Sequence, residues 1–216
     1  MFIALVLAAA TSAWAPPDGT YTYTSTMNGA QIGKTAITVK RSAQTIVLTE
    51  AGSGSMNGEN GSVQDTLTVD AQLAPSTYTA DASLADSRNM RSSVAFSPTQ
   101  AQQTGDVTKT YPLAGASKHF VLMDVGPFSG FFMIPAQMHA WNGAAVTAIV
   151  PNFAHSITLA PDGALPPARP ANVPKNDKAY SFDSMVQLTV WYDPATLVVD
   201  EVDVPAQGLV VVRQPK

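Results

Sequence analysis

Ser129 is the residue of this sequence that most resembles a catalytic nucleophile, because it lies in the segment Gly126–Gly130. In hydrolases that hold the nucleophile in a tight strand-to-helix turn, glycines lie two residues before and two residues after the serine, as G-x-S-x-G. Here the order is G-x-x-S-G, so the glycines lack the spacing that this turn needs. The segment instead predicts the entry into a helix, with Pro127 acceptable in the first turn.

The three histidines are the residues that could bind a metal or act as acid–base groups. His119, His139 and His155 have neither H-x-H nor H-x-x-x-H spacing, so no single helix or strand would present two of them to one ion. Convergence of these histidines with Asp124 in space would make a hydrolase or a metal enzyme, and this is the last of three functional hypotheses. The sequence itself predicts no catalytic residue, no metal and no cofactor.

Acidic residues are concentrated at Asp200, Glu201 and Asp203. If this segment is a strand, Glu201 and Asp203 share one face and Asp200 points to the other. Like charges on an exposed edge strand discourage pairing with another chain. We therefore expect an exposed strand here rather than a pair of catalytic carboxylates.

The segment Phe120–Trp141, which we call the apolar cover, is the most apolar part of the chain after its N-terminus. Large, adaptable side chains of this kind line pockets in curved sheets and barrel mouths. The segment predicts either ordinary core beneath a sheet or a site for an apolar ligand such as an acyl chain. The candidate ligand-binding residues are Phe128, Phe131, Phe132, Met133, Ile134, Met138 and Trp141.

Composition narrows the class of protein further. The chain has 216 residues, of which 45% are hydrophobic and 13% are charged, and its net charge is −4. The charged fraction is about half of the roughly 25% usual in soluble domains, and no cluster of Lys and Arg is present to neutralise phosphates, which argues against nucleic acid as a partner. The absence of cysteine excludes disulfides, a thiol nucleophile and a cysteine–zinc site.

The N-terminal segment Met1–Ala15 has the features of a secretory signal peptide. An apolar run from Phe2 to Ala10 precedes Ala13-Trp14-Ala15, which fits the small-x-small cleavage rule. The run is shorter than the roughly 20 residues of a membrane span, so no transmembrane segment is predicted. We expect an exported protein, periplasmic or extracellular, with residues 16–216 forming a single β-rich domain.

Turn residues and period-two alternation divide most of the chain into strands. Asn28-Gly29 is typical of a tight hairpin, Gly52–Gly61 predicts a loop because it is rich in glycine, and Pro151–Lys178 predicts a long extended connection. The alternation over Tyr180–Tyr192 predicts one long strand. Within the apolar cover, Pro135 should interrupt an α-helix, so we expect two short helices, or one helix and a turn.

A series of short landmarks runs through the chain in a recognisable order. They are Tyr21-x-Tyr23, Asn28-Gly29, Ile32-Gly33, Leu73-x-Pro75-x-x-Tyr78, Val94-x-Phe96, Tyr111-Pro112-Leu113, Val121-Leu122-x-Asp124, Trp191-Tyr192-Asp193-Pro194, Gly208 and Arg213. In this order they resemble exported bacterial β-rich domains of unknown function and, more distantly, the periplasmic carriers of outer-membrane lipoproteins. The resemblance implies an incomplete barrel, with short helices on the concave side of a strongly curved antiparallel sheet. It implies no catalytic residues.

Three hypotheses for function follow. The first is an exported, non-enzymatic protein that binds an apolar small molecule or lipid between a curved, mainly β sheet and the apolar cover. The second is a structural or interaction protein of the cell envelope with a fully packed core and a protein partner that the sequence does not identify. The third is the enzyme built from the three histidines.

Overall fold

The fold is described from a computed structural model, which covers residues 15–56, 59–83, 89–124, 126–161, 168–183 and 187–215. The predicted signal peptide, apart from Ala15, lies outside the described residues. No described helix is long and apolar enough to cross a membrane.

Most of the described residues belong to one twelve-stranded sheet. Its strands are β1 Gly19–Met27, β2 Ala30–Arg41, β3 Thr45–Met56, β4 Glu59–Asp70, β5 Pro75–Ser83, β6 Asn89–Phe96, β7 Gln100–Gly105, β8 Lys109–Pro112, β12 Lys178–Asp183, β13 Gln187–Tyr192, β14 Val199–Val204 and β15 Leu209–Arg213.

All neighbouring strands of this sheet are antiparallel, in the order β12-β13-β14-β15-β1-β2-β3-β4-β5-β6-β7-β8. The two end strands, β12 and β8, do not pair with each other, so the curved sheet stays open. The sequence-based prediction of a mainly β, curved antiparallel sheet that forms an incomplete barrel is confirmed.

Among the described residues, a smaller sheet and one α-helix complete the core. Strands β9 (His119–Leu122), β10 (Val146–Val150) and β11 (His155–Leu159) form the small sheet, with β9 parallel to β10. Helix α1 (Ser129–Ala140) lies against β3, β4, β9, β13 and β14, and we call the face of the large sheet that it contacts the inner face. Two single-turn 3₁₀ helices, Pro151–Phe153 and Pro205–Gln207, join strands.

The apolar cover contains part of β9 and one helix, α1, rather than two short helices, and Pro135 does not interrupt α1 as predicted. Pro135 lies inside α1, where it has no N–H to donate to the Phe131 carbonyl and costs roughly 3 kcal/mol. Nine of the twelve helix residues are buried. Because most helical stability in proteins comes from packing rather than from local propensity, burial on this scale outweighs the missing hydrogen bond.

The glycine-rich segment Gly52–Gly61 was predicted as a loop, but β3 and β4 extend into it from both sides. Gly33 pairs with Gly54, and Gly54 pairs with Gly61. A Cβ on Gly54 would lie 2.3 Å from the Ile32 carbonyl oxygen. The glycines therefore permit close approach of neighbouring strands instead of ending them, and the turn at residues 57–58 lies outside the described residues.

The segment Tyr180–Tyr192, predicted as one long strand, is the hairpin of β12 and β13. Phe182 pairs with Leu188, and Tyr180 pairs with Val190. In both pairs the two residues have even numbers, so the inward-facing positions are even-numbered on β12 and on β13 alike. For this reason the alternation in the sequence continues through the hairpin as though no turn were present.

The connection Pro151–Lys178 contains more regular structure than predicted. Its first part holds a 3₁₀ helix and then β11, which pairs with β10 from Val146 to Val150. The β-branched and apolar residues of His155–Leu159 form this strand despite the prolines around it.

Gly130 provides the first test of the fold. A Cβ at this position would lie 2.4 Å from the Leu122 carbonyl oxygen, so α1 approaches β9 as closely as a glycine allows. Gly130→Ala should lower the free energy of unfolding by about 1–3 kcal/mol through overpacking, although alanine is the better helix former by about 1 kcal/mol.

Urea unfolding measures this effect. Ala140→Gly, at the half-buried last position of α1, is the control and should show only the propensity cost of about 1 kcal/mol. A Gly130→Ala protein as stable as the wild type would show that the helix and β9 can separate without cost.

Candidate functional site

The inner face of the large sheet carries a row of residues across β3 to β6 that includes two buried carboxyl groups. Glu50 is paired with Asp65, Asp65 with Ala80, and Ala80 with Ser92. Glu50 is 3% exposed and Asp65 is 5% exposed. Two carboxyl groups are therefore buried side by side among core residues, and together with Asp124 we call them the acidic centre.

Glu50 joins the sheet to the apolar cover. Its Oε2 accepts hydrogen bonds from the backbone N–H of Phe128 at 2.5 Å and of Ser129 at 2.7 Å. The N-cap residue of α1, Phe128, makes no side-chain cap of its own. Glu50 therefore caps the helix from another element, where its negative charge also faces the positive end of the helix dipole.

The second oxygen of Glu50 is also occupied. Thr35 on β2 donates its hydroxyl to Oε1 at 2.6 Å. Burial raises the pKa of Glu50, and the hydrogen bonds from Thr35, Asp65 and the two backbone N–H groups oppose that rise. Because donors surround both of its oxygens, Glu50 is the member of the pair that carries the negative charge.

Asp65 holds the proton of the pair. Burial and the neighbouring negative charge of Glu50 raise the pKa of Asp65 to about 9. The hydrogen bond with Glu50 raises the pKa of Asp65 further, and the Ser129 hydroxyl opposes that rise, so Asp65 is the protonated partner that donates to Glu50. The two groups share one proton near neutral pH because two buried like charges this close cannot both ionise.

Asp124 extends the acidic centre toward the small sheet. Tyr78 donates its hydroxyl to Asp124 Oδ2 at 2.8 Å, and the Asn152 backbone N–H donates to Oδ1 at 3.0 Å. Burial, followed by the charge of Asp124, raises the pKa of Tyr78 well above its usual range. Tyr78 therefore stays a neutral donor, and Asp124 links β5 to the 3₁₀ helix Pro151–Phe153.

The acidic centre is built to hold elements together. General acid–base catalysis needs the carboxyl group within hydrogen-bond reach of a substrate. Glu50 is committed to α1 and Thr35, and Asp65 and Ser129 are both buried, with the Ser129 hydroxyl interacting with Asp65. Ser129 begins α1, as the sequence predicted for a helix entry.

The candidate ligand-binding residues of the apolar cover are mostly core. Phe128, Phe132, Met133, Ile134 and Met138 are buried in the hydrophobic cluster, while Phe131 and Trp141 are partly buried against it. Phe132 packs on Tyr21, with ring centroids 5.2 Å apart, and Phe128 packs on Tyr23 at 4.7 Å. That this surface binds an apolar ligand stays a prediction.

The histidines do not form a metal site within the described part of the chain, where no group of three His, Cys, Asp or Glu side chains could hold an ion. His119 instead stacks on Trp141, with ring centroids 4.1 Å apart and an interplanar angle of 10°. His155 is exposed at the start of β11. Asp124 is held by Tyr78 and Asn152, as described above.

The acidic run on β14 is not an exposed edge, contrary to the prediction. Strand β14 lies between β13 and β15, and Asp200 and Glu201 are buried. Residues 168–177 cover the outer face here, where Asn172 donates its amide to Glu201 and Arg169 lies over the Trp191 ring at 4.9 Å. Burial raises the pKa of Glu201 to about 7.

The outer face of the large sheet carries a trough of about 600 Å³ over β3 to β7. Exposed residues such as Thr49 and Thr79 line the trough with their side chains. Glu50 and Asp65 alternate with them along the strands, and their side chains are buried on the inner face. Side chains alternate across a strand, so the backbone of the acidic row forms the floor of the trough.

A row of hydroxyl side chains runs along the trough and continues past it. Each member pairs with the next across neighbouring strands from β1 to β7 without a break, and we call it the outer hydroxyl row. Its members are Thr20, Thr38, Thr49, Thr66, Thr79, Ser93 and Thr104.

Charge within the trough is balanced. Arg91 Nε lies 3.2 Å from Asp81 Oδ2 on the neighbouring strand, and both side chains are exposed. Exposed pairs of this kind contribute little to stability. Gln64 and Ala51 complete this side of the trough, which therefore offers hydrogen-bonding groups rather than net charge.

Sequence analysis predicted neither the acidic centre nor the outer hydroxyl row, although the sequence contains a signal for the acidic centre. Glu50 continues the inward period of Ile46 and Leu48, and Asp65 continues that of Leu67 and Val69. A carboxylate at an inward position of an apolar strand indicates a buried acid. The hydroxyl row depends on the register between strands, which a single sequence does not contain.

The fold defines a class of half-barrel proteins in which one open, curved antiparallel sheet wraps around a helix. No protein-family model matches this sequence, and no curated protein does so either. Solved structures of other proteins do have a similar fold.

Two of these structures match over most of the chain. One is a DUF1089 family protein from Pseudomonas aeruginosa, with 11% identity and a TM-score of 0.50 over 91% of this chain and 94% of that one. The other is a β-barrel-like protein with the domain of unknown function DUF1849 from Brucella abortus, with 10% identity and a TM-score of 0.51 over 93% and 95%. At this identity they show the fold alone, which supports the likeness to β-rich domains of unknown function.

Asp65→Asn tests the shared proton. The folded protein keeps a proton on Asp65 that the unfolded chain releases above its usual pKa of 3.8, so this stabilising contribution is complete at low pH. It is lost as the pH rises toward about 9, with a slope of at most about 1.4 kcal/mol per pH unit.

Urea unfolding across that pH range should show a steeper fall in stability for the wild type than for Asp65→Asn, because the raised pKa of Glu201 contributes equally to both proteins. The substituted asparagine keeps the size of the side chain and a donor for Glu50. Asp81→Asn, at an exposed position on β5, serves as the control and should retain the wild-type slope. Parallel pH curves for the wild type and Asp65→Asn would show that Asp65 is not protonated in the fold.

Glu50→Gln tests the cap. Glutamine keeps one acceptor oxygen but has no charge to face the N-terminus of α1. We expect a loss of about 1–3 kcal/mol in the free energy of unfolding near neutral pH, the cost of weakening hydrogen bonds to a charged group. Amide hydrogen exchange should locate the loss in the first turn of α1, and unchanged protection of Phe128 and Ser129 would contradict the assignment.

Proposed function

We propose that this chain is an exported, non-enzymatic interaction protein of the cell envelope that binds an uncharged, polar ligand in the trough on the outer face of its half-barrel. The observation that carries the proposal is the trough itself, which at about 600 Å³ has the volume of a small-molecule site. The signal-peptide prediction supports export.

The hydroxyl and amide groups that line the trough favour a hydroxyl- or amide-bearing ligand. Threonine and serine hydroxyls can donate and accept hydrogen bonds at once, and Gln64 adds an amide. The charged groups of the trough, Asp81 and Arg91, neutralise each other at 3.2 Å. Because this pair leaves no net charge to attract an ion, a neutral polar ligand that adds hydrogen bonds is favoured.

The packing of the inner face also favours an outer site. Neither the trough nor the second cavity, of about 370 Å³ beside Asp200 and Arg213, is lined by any of the seven candidate residues of the apolar cover. Five of the seven are buried in the core. A ligand on the outer face needs no movement of α1, and this matches the hypothesis of a packed core that presents its surface to a partner.

Ser93→Trp tests the location of the ligand by filling the trough. The probes are small neutral sugars and N-acetylated sugars, titrated while backbone amide shifts are followed by NMR. In the wild type, at least one probe should shift the amides of Thr66 and Thr79, and Ser93→Trp should abolish those shifts.

The matched control is Ala95→Trp, which lies on the same strand and face but one row away, outside the trough. It should leave binding unchanged. Wild-type protein that responds to no neutral probe, or equal loss of binding in both variants, would overturn the proposed site.

Binding of an apolar ligand beneath the sheet is the second candidate function. Phe131 and Trp141 favour it, because they are the two of the seven candidate residues that keep partial exposure. Burial there would contribute roughly 25 cal/mol per Å² of apolar surface. Native mass spectrometry of the purified protein and titration with a fluorescent fatty acid test it, and a protein that carries and takes up no lipid would rule it out.

A further inference from the structure

The outer hydroxyl row is longer than the trough. Five of its members line the trough, and two more, Thr20 and Thr38, continue it over β1 and β2. Their hydroxyl oxygens lie 3.0 Å apart at an exposed position. Resting on the proposed function, we infer that the ligand is a linear, uncharged polysaccharide that lies along the outer hydroxyl row, across the strands from β1 to β7.

The dimensions of the row require an extended ligand. Neighbouring strands lie about 4.7–4.9 Å apart, so a row across seven strands presents a hydroxyl group at this interval over about 29 Å. A monosaccharide or disaccharide can occupy only a few of these positions. A linear glycan offers hydroxyl and ether oxygens on each successive ring and can use the whole row.

The twist of the sheet favours a flexible polymer as the ligand over a flat crystalline surface. Neighbouring strands are rotated by about 20–25° relative to each other, so the row turns through about 120–150° from Thr20 to Thr104. A crystalline or lattice surface would touch only a short part of a row that turns this far. A polymer with rotatable glycosidic bonds can follow it.

The kind of contact selects a glycan over a peptide. An extended peptide binds a sheet by adding a strand at an edge, through main-chain hydrogen bonds. On β1 to β7 those main-chain groups already pair with neighbouring strands. The outer face therefore offers side-chain hydroxyl groups, and the methyl groups of threonine can contact the C–H faces of sugar rings.

The first pair of variants tests whether the row binds the polymer. Thr66→Val/Thr79→Val removes two central hydroxyl groups while keeping the β-branched shape that a strand favours. Thr68→Val/Thr77→Val is the matched control, since these residues are paired on the same two strands and face, one row away. Affinity electrophoresis in gels containing hydroxyethyl cellulose or dextran measures binding, with sodium alginate as the anionic comparison.

We expect the wild type to be retarded by a neutral polymer and not by alginate. Thr66→Val/Thr79→Val should weaken that binding by about tenfold, as the loss of two or more neutral hydrogen bonds predicts. The control pair should bind like the wild type, and circular dichroism should show that both proteins fold.

The second pair separates this inference from the proposed function. Thr20→Val/Thr38→Val lies outside the trough, so it should weaken binding of the polymer but leave binding of a disaccharide unchanged. If only the trough variants weaken both, the ligand is confined to the trough, and the polymer inference is wrong while the proposed function stands. If no variant of the row has an effect, or alginate binds as well as the neutral polymers, both are overturned.

Discussion

The structure depends on one interaction, the carboxylate of Glu50 against the N-terminus of α1. A helix enclosed between two sheets must satisfy its first N–H groups without water, and Phe128 provides no cap of its own. Glu50 supplies the acceptor from β3, and Asp65 lets that charge remain buried by giving up its own. The position of the apolar cover over the sheet is thereby fixed at one end by a polar contact rather than by shape alone.

The two faces of the large sheet have different roles. The inner face buries aromatic and aliphatic side chains around α1, and its few polar groups bond to one another. The outer face from β1 to β7 presents hydroxyl groups whose positions are fixed by that interior. Since Glu50 and Asp65 face inward directly beneath the trough, the same residues set both the helix position and the local path of β3 and β4.

Much of the fold follows from the sequence because alternation survives wherever one face is buried. Tyr21 and Tyr23, or Val190 and Tyr192, predict strands, and a sheet with one apolar face predicts a cover. The sequence-based predictions were wrong where tertiary packing or strand pairing outweighed the local preference of a residue. Pro135 stays in the helix because its surroundings stabilise it, Gly54 stays in a strand because the next backbone lies close, and the β12–β13 turn preserves parity.

The site was less predictable than the fold. The apolar cover was placed correctly over the sheet, but its burial depends on how tightly Phe132 and Met133 pack, which composition does not determine. The acids on β14 appeared to be an edge because nothing in the sequence indicates that residues 168–177 fold back over them. Register, which creates the outer hydroxyl row, is a property of pairs of strands and is absent from any single segment.

The strand order also determines when the fold can form. Strand β15 pairs with β1 in the middle of the large sheet, and Tyr23 donates its hydroxyl to the carbonyl of Val199, 176 residues away along the chain. The edge of β1 that pairs with β15 therefore has no partner until β15 has been synthesised, whereas β1 to β8 each pair with the next strand along the chain. Contacts of such long range slow the step of folding that joins β15 to β1.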